Sequence, residues 1–430
     1  MFGVNIREDA VSLARSWIYH YRMSEQTCVI IGASHAGTQL ALSLRQGGWT
    51  GDIVLVGEEP VNPYQRPPLS KDVLTGAKSM EHIPIRPSSV LKSAGIELLL
   101  GRRVEAIDRA AKRLDLDDGS SLAYDKLALT LGAYPATIPL TGSDKYGVYY
   151  LRNLADVEQI QPYIDVGNSA VIIGGGYIGL EAGAVLRQIG MRVTVLEALP
   201  RVLQRVTAPV VSTFYERLHY QKGVHIMTSS LVTSIEGDEW VERVFCADGS
   251  EFDANLVIIA VGVLPNTDLA ERAGLRVEDG ILVDEYARTS DPDIVAAGDC
   301  TRHFNPIYQR RVRLESVQNA MDQARTAAAT LNGNPEPYHA LPWFWSDQYE
   351  VKLQIAGLSQ GYDNIVVRGN PDSGDSFAVF YYEGDRLLAV DAINRPGEFM
   401  LGKKLLQQGV SIDKNLLADD SVPVKELLGA

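Results

Sequence analysis

The chain has 430 residues, 46 % hydrophobic and 22 % charged, a balance typical of a globular protein with two or three domains. Its 40 basic and 54 acidic residues give a formal charge of −14, which disfavours nucleic acid and anionic membranes as partners, and no run of about eighteen apolar residues predicts a transmembrane helix. The three cysteines, Cys28, Cys246 and Cys300, form no close pair, which favours the reducing cytoplasm and argues against a metal site or a dithiol centre.

The first segment, residues 1–22, lacks the apolar core and the cleavage site of a secretory signal. We interpret it as an N-terminal extension without an assigned function, and a short amphipathic helix is the alternative. Met23 begins "MSEQTCVIIG", a pattern typical of a chain start just before a first strand.

Two later segments repeat one pattern, "TCVIIGASHAGTQLALSLRQGG" at 27–48 and "SAVIIGGGYIGLEAGAVLRQIG" at 169–190. Each predicts a β-branched strand, a glycine turn and a helix that ends in glycine. Each is followed by a strand that ends in an acid, "DIVLVGEE" at 52–59 and "RVTVLEA" at 192–198. This succession predicts two βαβ units of a nucleotide-binding, doubly wound fold.

The second copy carries a complete dinucleotide fingerprint, with Gly174, Gly176 and Gly179 in the turn and Glu197 23 residues after Gly174. The glycines permit a tight turn, a close approach of the backbone to a pyrophosphate, and packing of the helix on the strand. The helix N-terminus then faces the phosphates, and Glu197 can bind the ribose hydroxyls.

The first copy keeps Gly32 and Gly37, with Glu58 26 residues after Gly32, but Ser34 stands where the middle glycine is expected. Serine is the smallest replacement that leaves the backbone amides free, so we still predict phosphate binding. Two dinucleotide sites predict a flavin and a nicotinamide. In "TSDPDIVAAGDC", Asp299 follows a short apolar strand, where its carboxylate can accept a hydrogen bond from a flavin ribityl hydroxyl.

The motifs "GGGYIGLE", "RPPLSK", "ESVQNA" and "PWFWSDQYE" together resemble the flavoprotein ferredoxin reductases of bacterial oxygenase systems. This resemblance extends from about residue 24 to the C-terminus. It implies the glutathione-reductase-like fold, an α/β protein with two Rossmann-like domains and an α+β C-terminal domain. The implied domains are FAD-binding (23–140 and 265–333), NAD-binding (141–264) and C-terminal (334–430).

The resemblance also implies roles for matching residues. Lys71 is expected near the reactive edge of the flavin, Glu181 is expected to form an ion pair with Lys71, and Trp345 is expected where the nicotinamide stacks. The FAD contacts implied or predicted are Gly32, Ser34, Ala36, Gly37, Glu58, Arg66, Lys71, Val104, Arg152, Asp299 and Val317. The NAD contacts are Gly174, Gly176, Tyr177, Ile178, Gly179 and Glu197.

The implied reaction transfers hydride from NADH to FAD and single electrons to a [2Fe-2S] ferredoxin that supplies a P450 or a ring-hydroxylating dioxygenase. Because such ferredoxins are acidic, a transient docking surface needs local positive charge, for which the candidates are Arg310, Arg311, Arg313, Lys403 and Lys404. Ordinary solvated charges are the alternative interpretation of these residues. The protein is expected to be a monomer or a weak homodimer.

Two other functions stay open at this stage. One is an NADH oxidase or quinone reductase without a protein partner, and the other is a flavoprotein in which NADH binding controls assembly. Disulfide reductases, peroxidases and CoA-disulfide reductases of this fold carry one or two cysteines shortly after the first glycine turn. This chain has none there, so those activities are disfavoured.

Overall fold

The structure is a computed structural model that describes residues 26–427. The extension predicted at 1–22 lies outside these residues. The described chain forms two α/β units of similar topology, the second inserted into the first, followed by a C-terminal unit built on an antiparallel sheet.

The first unit begins with ten strands and helices that surround one glycine turn. In chain order they are β1 (Cys28–Ile31), α1 (His35–Gln46), β2 (Ile53–Gly57), α2 (Ser88–Ser93), β3 (Ile96–Leu100), β4 (Val104–Asp108), β5 (Arg113–Leu116), β6 (Ser121–Ala123), β7 (Lys126–Leu129) and β8 (Ala133–Pro135). Short 3₁₀ turns at Pro67–Ser70 and Met80–His82 lie between β2 and α2.

The second unit follows directly. Its elements are β9 (Val148–Tyr150), α3 (Leu154–Ile160), β10 (Ser169–Ile173), α4 (Tyr177–Ile189), β11 (Arg192–Leu196), α5 (Pro209–Gln221), β12 (His225–Met227), β13 (Val232–Glu236), β14 (Arg243–Cys246), β15 (Glu251–Asp253), β16 (Leu256–Ile259) and β17 (Val263–Pro265). A 3₁₀ turn at Gln161–Tyr163 continues α3.

The chain then returns to the first unit and ends in the C-terminal unit. The returning elements are α6 (Asp268–Arg272), β18 (Ile281–Val283), β19 (Ile294–Ala296), β20 (Thr301–Asn305), β21 (Arg310–Val312) and α7 (Val317–Leu331). The C-terminal elements are β22 (Trp343–Gln348), β23 (Val351–Gly357), β24 (Asn364–Gly369), β25 (Phe377–Glu383), β26 (Arg386–Ile393), α8 (Pro396–Gln408), α9 (Lys414–Ala418) and α10 (Val424–Leu427).

The two α/β units each contain a five-stranded sheet whose strands are all parallel. The orders are β19-β7-β1-β2-β3 and β12-β11-β10-β16-β9, so β1 and β10 hold equivalent central positions. Ile30 lies between Leu55 and Ala128, and all three are fully buried. A parallel sheet is covered on both faces, which explains why these strands are almost uniformly apolar rather than alternating.

Helix α1 packs closely against α7, and this contact positions the first glycine turn. Leu40 and Leu44 of α1 share a core with Ala324 and Ala327 of α7, and all four side chains are buried. The small alanine side chains let the two helices approach each other. The packing brings the N-terminus of α1 beside Gly298. A Cβ added to Gly298 would lie 3.2 Å from Ala36 Cβ.

The C-terminal unit is an antiparallel sheet in the order β22-β23-β26-β25-β24, with α8 on one face. Strand β22 lies against α4 of the second unit, so side chains from both units meet there. The carboxyl groups of Asp391 and Glu398 and the guanidinium of Arg368 are deeply buried in this unit. Asp391 accepts a hydrogen bond from the Tyr381 hydroxyl (2.5 Å), and Arg368 binds Glu398 (3.2 Å) and three main-chain carbonyls.

Candidate functional site

The turn between β1 and α1 has room for no side chain at two positions. Gly32 has a φ of +112°, and a Cβ there would lie 2.1 Å from the carbonyl oxygen of Thr130. A Cβ on Gly37 would lie 2.0 Å from the carbonyl oxygen of Gly32. The turn is therefore as tight as the sequence predicts. It directs the N-terminus of α1, which has no acidic residue in its first turn, toward a position where an anion would bind.

Ser34 is the N-cap residue of α1, with φ −127° and ψ −155°. This extended conformation is open to any residue, so the absence of the middle glycine causes no backbone strain. The hydroxyl makes no capping bond to the helix and instead accepts a hydrogen bond from Arg66 Nε at 3.4 Å.

Arg66 connects the turn to Arg152, which lies between β9 and α3 of the second unit, and through it to Asp299 of the first unit. Its Nη1 donates to the carbonyl oxygen of Arg152 (2.9 Å), and Arg152 Nη2 contacts Asp299 Oδ2 at 3.1 Å. The structure thus brings Ser34, Arg66, Arg152 and Asp299, which are far apart in sequence, into one connected group. Ala36 lies in the first turn of α1, with its Cβ 3.2 Å from the position of a Cβ on Gly298, and Val317 is the first residue of α7.

Two further residues expected to contact FAD do not join this group through their side chains. Val104 is buried in the core beneath the first sheet, with only 6 % of its surface exposed. Glu58 is exposed just after β2. The next residue, Glu59, accepts hydrogen bonds from the Tyr64 hydroxyl and from Arg66 Nη2, both at 2.5 Å.

Sequence reasoning missed three members of this site, Glu59, Tyr64 and His35. Burial, together with the charges of Arg66 and Arg152, lowers the pKa of His35 to about 4, so the ring is neutral at pH 7. His35 belongs to the quoted turn "VIIGASHAG" and is the first residue of α1, a position that could have drawn attention to it.

The turn between β10 and α4 has the same construction with all three glycines. A Cβ on Gly174 or on Gly179 would lie 2.4 Å or 2.2 Å from a main-chain oxygen, whereas a Cβ on Gly176 would meet no atom within 4 Å. The first and third glycines are thus required by the fold. The middle one leaves open space at the N-terminus of α4, where a pyrophosphate could approach.

Glu197 follows β11 and faces this turn. Its Oε2 accepts a hydrogen bond from the Gly175 amide (2.7 Å) and its Oε1 from the Leu199 amide (2.8 Å). A carboxylate offers about four acceptor positions, so two remain for ribose hydroxyls. The nearby Arg201 donates to the Ser212 hydroxyl (2.6 Å) and to the Gln204 carbonyl (3.0 Å).

Tyr177 and Ile178 begin α4. The Tyr177 ring centre lies 4.9 Å from that of Phe344 on β22, and the Ile178 side chain is exposed beside the turn. Trp345 lies on the same strand, half-buried, with its ring centre 5.6 Å from that of Trp343. An aromatic surface therefore borders the second glycine turn.

Lys71 and Glu181 form the ion pair that the resemblance implies. Lys71 Nζ lies 3.0 Å from Glu181 Oε2, and the side chains are 19 % and 7 % exposed. Lys71 directly follows the 3₁₀ turn Pro67–Ser70 of the first unit, and Glu181 lies on α4 of the second unit. The hydroxyls of Ser70 and Ser346 also donate to Glu181, each at 2.7 Å.

The basic residues proposed for docking differ in their exposure and in whether an acidic side chain already pairs with them. Arg313 is only 16 % exposed and pairs with Asp279 (3.1 Å) and with Glu315. Arg311 is exposed on β21, opposite Phe304, and Arg310 lies 6.0 Å from the Tyr308 ring centre.

The second basic cluster lies on α8. Lys403 Nζ lies 5.3 Å from the Trp343 ring centre and 5.5 Å from that of Phe399, and Lys404 is exposed. The cation–π contacts hold the Lys403 ammonium at the edge of the aromatic surface that includes Trp345.

The three cysteines are buried and unpaired, and burial raises the pKa of Cys28 and of Cys300 to about 12. Neither supplies a thiolate at neutral pH. Within residues 26–427 no group of histidine, cysteine and acidic side chains could hold a metal ion. No helix in this range is long and apolar enough to cross a bilayer.

Comparison with known proteins identifies the family of the chain. A model of the family described as "Pyridine nucleotide-disulphide oxidoreductase" matches residues 26–324, and one described as "Reductase C-terminal" matches residues 343–428. The chain belongs to the pyridine nucleotide-disulphide oxidoreductase family.

Among its relatives in this family, putidaredoxin reductase CamA of Pseudomonas putida is 45 % identical over 408 residues, which cover 94 % of this chain and 96 % of the relative. Rhodocoxin reductase of Rhodococcus erythropolis is 42 % identical over 92 % of this chain and 93 % of the relative. The reductase in the covalent putidaredoxin reductase–putidaredoxin complex superimposes with a TM-score of 0.91, at 44 % identity, over 94 % of this chain and 99 % of that chain.

The chain is thus an oxidoreductase of the ferredoxin reductase type, with FAD and NADH as its cofactors. The residues present fit both groups. Each glycine turn excludes a Cβ at two positions and leaves a helix N-terminus without an acidic residue in its first turn, which suits a pyrophosphate.

Proposed function

We propose that this chain takes a hydride from NADH and passes electrons one at a time to a [2Fe-2S] ferredoxin that serves a bacterial oxygenase. The observation that carries the proposal is the Lys71–Glu181 pair, because it joins the unit with the first glycine turn to the unit with the second. FAD, when bound, accepts a hydride and releases single electrons, which is the conversion that an iron–sulfur partner requires.

The side chains of the pair have distinct tasks in this proposal. Lys71 places a positive charge where negative charge develops as hydride arrives, and a preorganised charge in a partly buried site stabilises such a state strongly. Glu181 holds the Lys71 ammonium in place, and it is itself held by the Ser70 and Ser346 hydroxyls. No side chain needs to act as a nucleophile, which agrees with the buried, protonated thiols of Cys28 and Cys300.

The first glycine turn would hold the pyrophosphate of FAD at the N-terminus of α1, with Arg66 beside it. The second would hold that of NADH at α4. Glu197 favours NADH over NADPH, since its carboxylate repels a 2′-phosphate and accepts hydrogen bonds from free ribose hydroxyls. Arg201 supports this preference because its guanidinium is bound to Ser212 and Gln204 rather than free to pair with a phosphate.

The ferredoxin partner is supported by the relatives, one of which is known in a covalent complex with putidaredoxin. We assign the docking of an acidic ferredoxin to Arg310, Arg311, Lys403 and Lys404. We leave Arg313 out, because its charge is already neutralised by Asp279 and Glu315. The complex would be transient, guided by charge and weakened by salt.

The decisive experiment measures cytochrome c reduction by NADH with and without an added [2Fe-2S] ferredoxin. A strong dependence on ferredoxin supports the proposal. Quinone reduction at a similar rate without ferredoxin would instead indicate a quinone reductase, and negligible turnover with any acceptor would indicate a protein in which NADH binding controls assembly.

The docking surface is tested separately with Arg311→Glu/Lys404→Glu, which reverses two exposed charges. We expect the ferredoxin concentration for half-maximal rate at low salt to rise at least tenfold, while reduction of ferricyanide by NADH is unchanged. Arg243→Glu, an exposed cation on β14 of the second unit, is the control. Unchanged ferredoxin dependence in the double variant would remove these residues from the docking surface.

A further inference from the structure

A line of buried polar side chains leads from Glu181 into the protein. Ser346 on β22 donates to Glu181 Oε1 at 2.7 Å, and the Gln348 amide nitrogen lies 3.3 Å from the Ser346 hydroxyl. Ser346 and Gln348 are two residues apart on one strand, so they face the same side. Both are fully buried, with 0 % and 1 % of their surface exposed.

The line continues across to α5. His219 Nε2 lies 2.8 Å from Gln348 Oε1, and the Tyr349 hydroxyl lies 3.4 Å from His219 Nδ1. His219 is also fully buried. We call the series Tyr349, His219, Gln348, Ser346 the Glu181 chain. It joins the second unit to the C-terminal unit at the ion pair.

The donors of the Glu181 chain all point in one direction. Gln348 Oε1 can only accept, so His219 Nε2 must carry the proton, and the Gln348 amide nitrogen must donate to Ser346. Burial lowers the pKa of His219 to about 4, so the ring is neutral and its Nδ1 accepts from Tyr349. The Ser346 hydroxyl, which already accepts from Gln348, has its proton free for Glu181.

This one-way order has two consequences. A series of donors that ends on a carboxylate stabilises its negative charge, and each bond polarises the next. In addition, the amide of Gln348 does not exchange a proton from nitrogen to oxygen in the way that two hydroxyls do. The Glu181 chain is therefore suited to fix an orientation and not to conduct protons.

We propose that Ser346, Gln348 and His219 are positioning residues that hold the charged Glu181 carboxylate against Lys71. The proposal rests on the proposed function, in which this pair controls the charge beside the flavin. It assigns to the C-terminal unit a part in setting the reduction potential of FAD, although the glycine turns lie in the other two units. Each residue acts through its neighbour, so the effect should decrease with distance from Glu181.

The test measures the midpoint potential of FAD by dye equilibration, together with the limiting rate at which NADH bleaches the flavin absorbance. In Ser346→Ala we expect a more positive potential, because Lys71 is less well compensated, and a rate altered about tenfold, the usual effect of a lost hydrogen bond to a charged group. Gln348→Leu should give a smaller shift of the same sign, and Tyr349→Phe the smallest.

Ser169→Ala is the matched control, since Ser169 is a buried serine at the start of β10 that accepts hydrogen bonds from Arg192 Nε (3.1 Å) and Nη2 (3.0 Å) and has no bond to the Glu181 chain. It should lower stability but leave the potential unchanged. Equal shifts of the potential in Ser169→Ala and Ser346→Ala, or no shift in Ser346→Ala, would overturn the proposal.

A second measurement does not depend on any variant folding well. Nitrogen-15 NMR of the FAD-loaded wild-type protein should show His219 neutral, with the proton on Nε2, from pH 6 to 8. A proton on Nδ1, or a charged ring at pH 6, would overturn the one-way order. Neither the FAD potential nor the NMR measurement involves ferredoxin. If the variants shift the potential as expected but the docking or turnover assay fails, only the proposed function is refuted.

Discussion

The middle and third glycines of the second glycine turn give a sharp contrast, because an alanine substitution should have different effects at the two positions. A Cβ at Gly179 would lie 2.2 Å from the carbonyl oxygen of Gly174. Ordinary contact begins near 3.4 Å, so the main chain would have to move by about 1.2 Å. At Gly176 no atom lies within 4 Å, and φ is −81°, which alanine adopts easily.

The expected magnitudes follow from these distances. Overpacking usually lowers the free energy of unfolding by about 1–3 kcal/mol. Because the Cβ of Gly179→Ala would clash with a main-chain oxygen, we expect a loss at the upper end of this range, about 3 kcal/mol. For Gly176→Ala we expect the free energy of unfolding to change by less than about 1 kcal/mol. Alanine is a poorer N-cap residue than glycine, but it also restricts the unfolded chain, and the two effects offset each other. The added methyl group would nevertheless stand where a pyrophosphate approaches, so the dissociation constant for NAD⁺ should rise at least about tenfold, or 1.4 kcal/mol.

Urea unfolding of the FAD-loaded protein, followed by tryptophan fluorescence, measures the first effect, and calorimetric titration with NAD⁺ measures the second. The reasoning is refuted if Gly179→Ala unfolds at the wild-type urea concentration. It is refuted equally if Gly176→Ala binds NAD⁺ as tightly as wild type does.

Three further predictions concern other parts of the chain. Ser34→Gly should retain FAD as well as wild type in a dialysis assay, because Ser34 has an ordinary extended backbone and only a long bond to Arg66. Burial raises the pKa of Asp391 to about 7, so the native state holds a proton that the unfolded chain releases above pH 4. The free energy of unfolding therefore falls as pH rises from 4 to 7. In urea unfolding, Asp391→Asn should raise the free energy of unfolding by up to about 4 kcal/mol at pH 8 and should leave it unchanged at pH 4. Arg368→Met should cost about 3–5 kcal/mol by the same method, because it leaves buried acceptors unpaired.

Each of these has a clear contrary result. A Ser34→Gly protein that releases FAD more slowly would show that the serine weakens binding. An Asp391→Asn protein with the same pH dependence as wild type would show that this carboxyl does not titrate in the native state. For Arg368→Met the control is Arg325→Met, because Arg325 forms an exposed ion pair with Asp322. Loss of this pair should change the free energy of unfolding by less than about 1 kcal/mol. Equal losses in the two variants would refute the argument.

Local features of the fold were predictable from the sequence because they depend on local chemistry. Gly32 and Gly174 stand at positive φ in turns that follow buried strands, and the strand–turn–helix pattern identified both turns. The Lys71–Glu181 pair was reached only through the resemblance, since nothing in the spacing of residues 71 and 181 indicates contact. The structure contains that pair, and its role beside the flavin stays a prediction.

Features that depend on distant packing were not predictable. Arg313 has the same sequence context as Arg310 and Arg311, and only the fold shows that two acids neutralise it. Likewise, Glu58 and Glu59 are adjacent acids after β2, and the position of Tyr64 decides which one is held. His219 and Gln348 become neighbours only because β22 packs against the second unit.

The return of the chain to the first sheet sets an order for synthesis on the ribosome. Strand β19, which begins at Ile294, completes a sheet whose neighbouring strand β7 ends at Leu129. The second sheet uses only strands between Val148 and Ile259, so it can close while the first is still missing its edge. Local contacts form before distant ones. The inserted unit should therefore fold first in the nascent chain, and the Arg152–Asp299 contact beside the first glycine turn forms only after residue 299 has emerged.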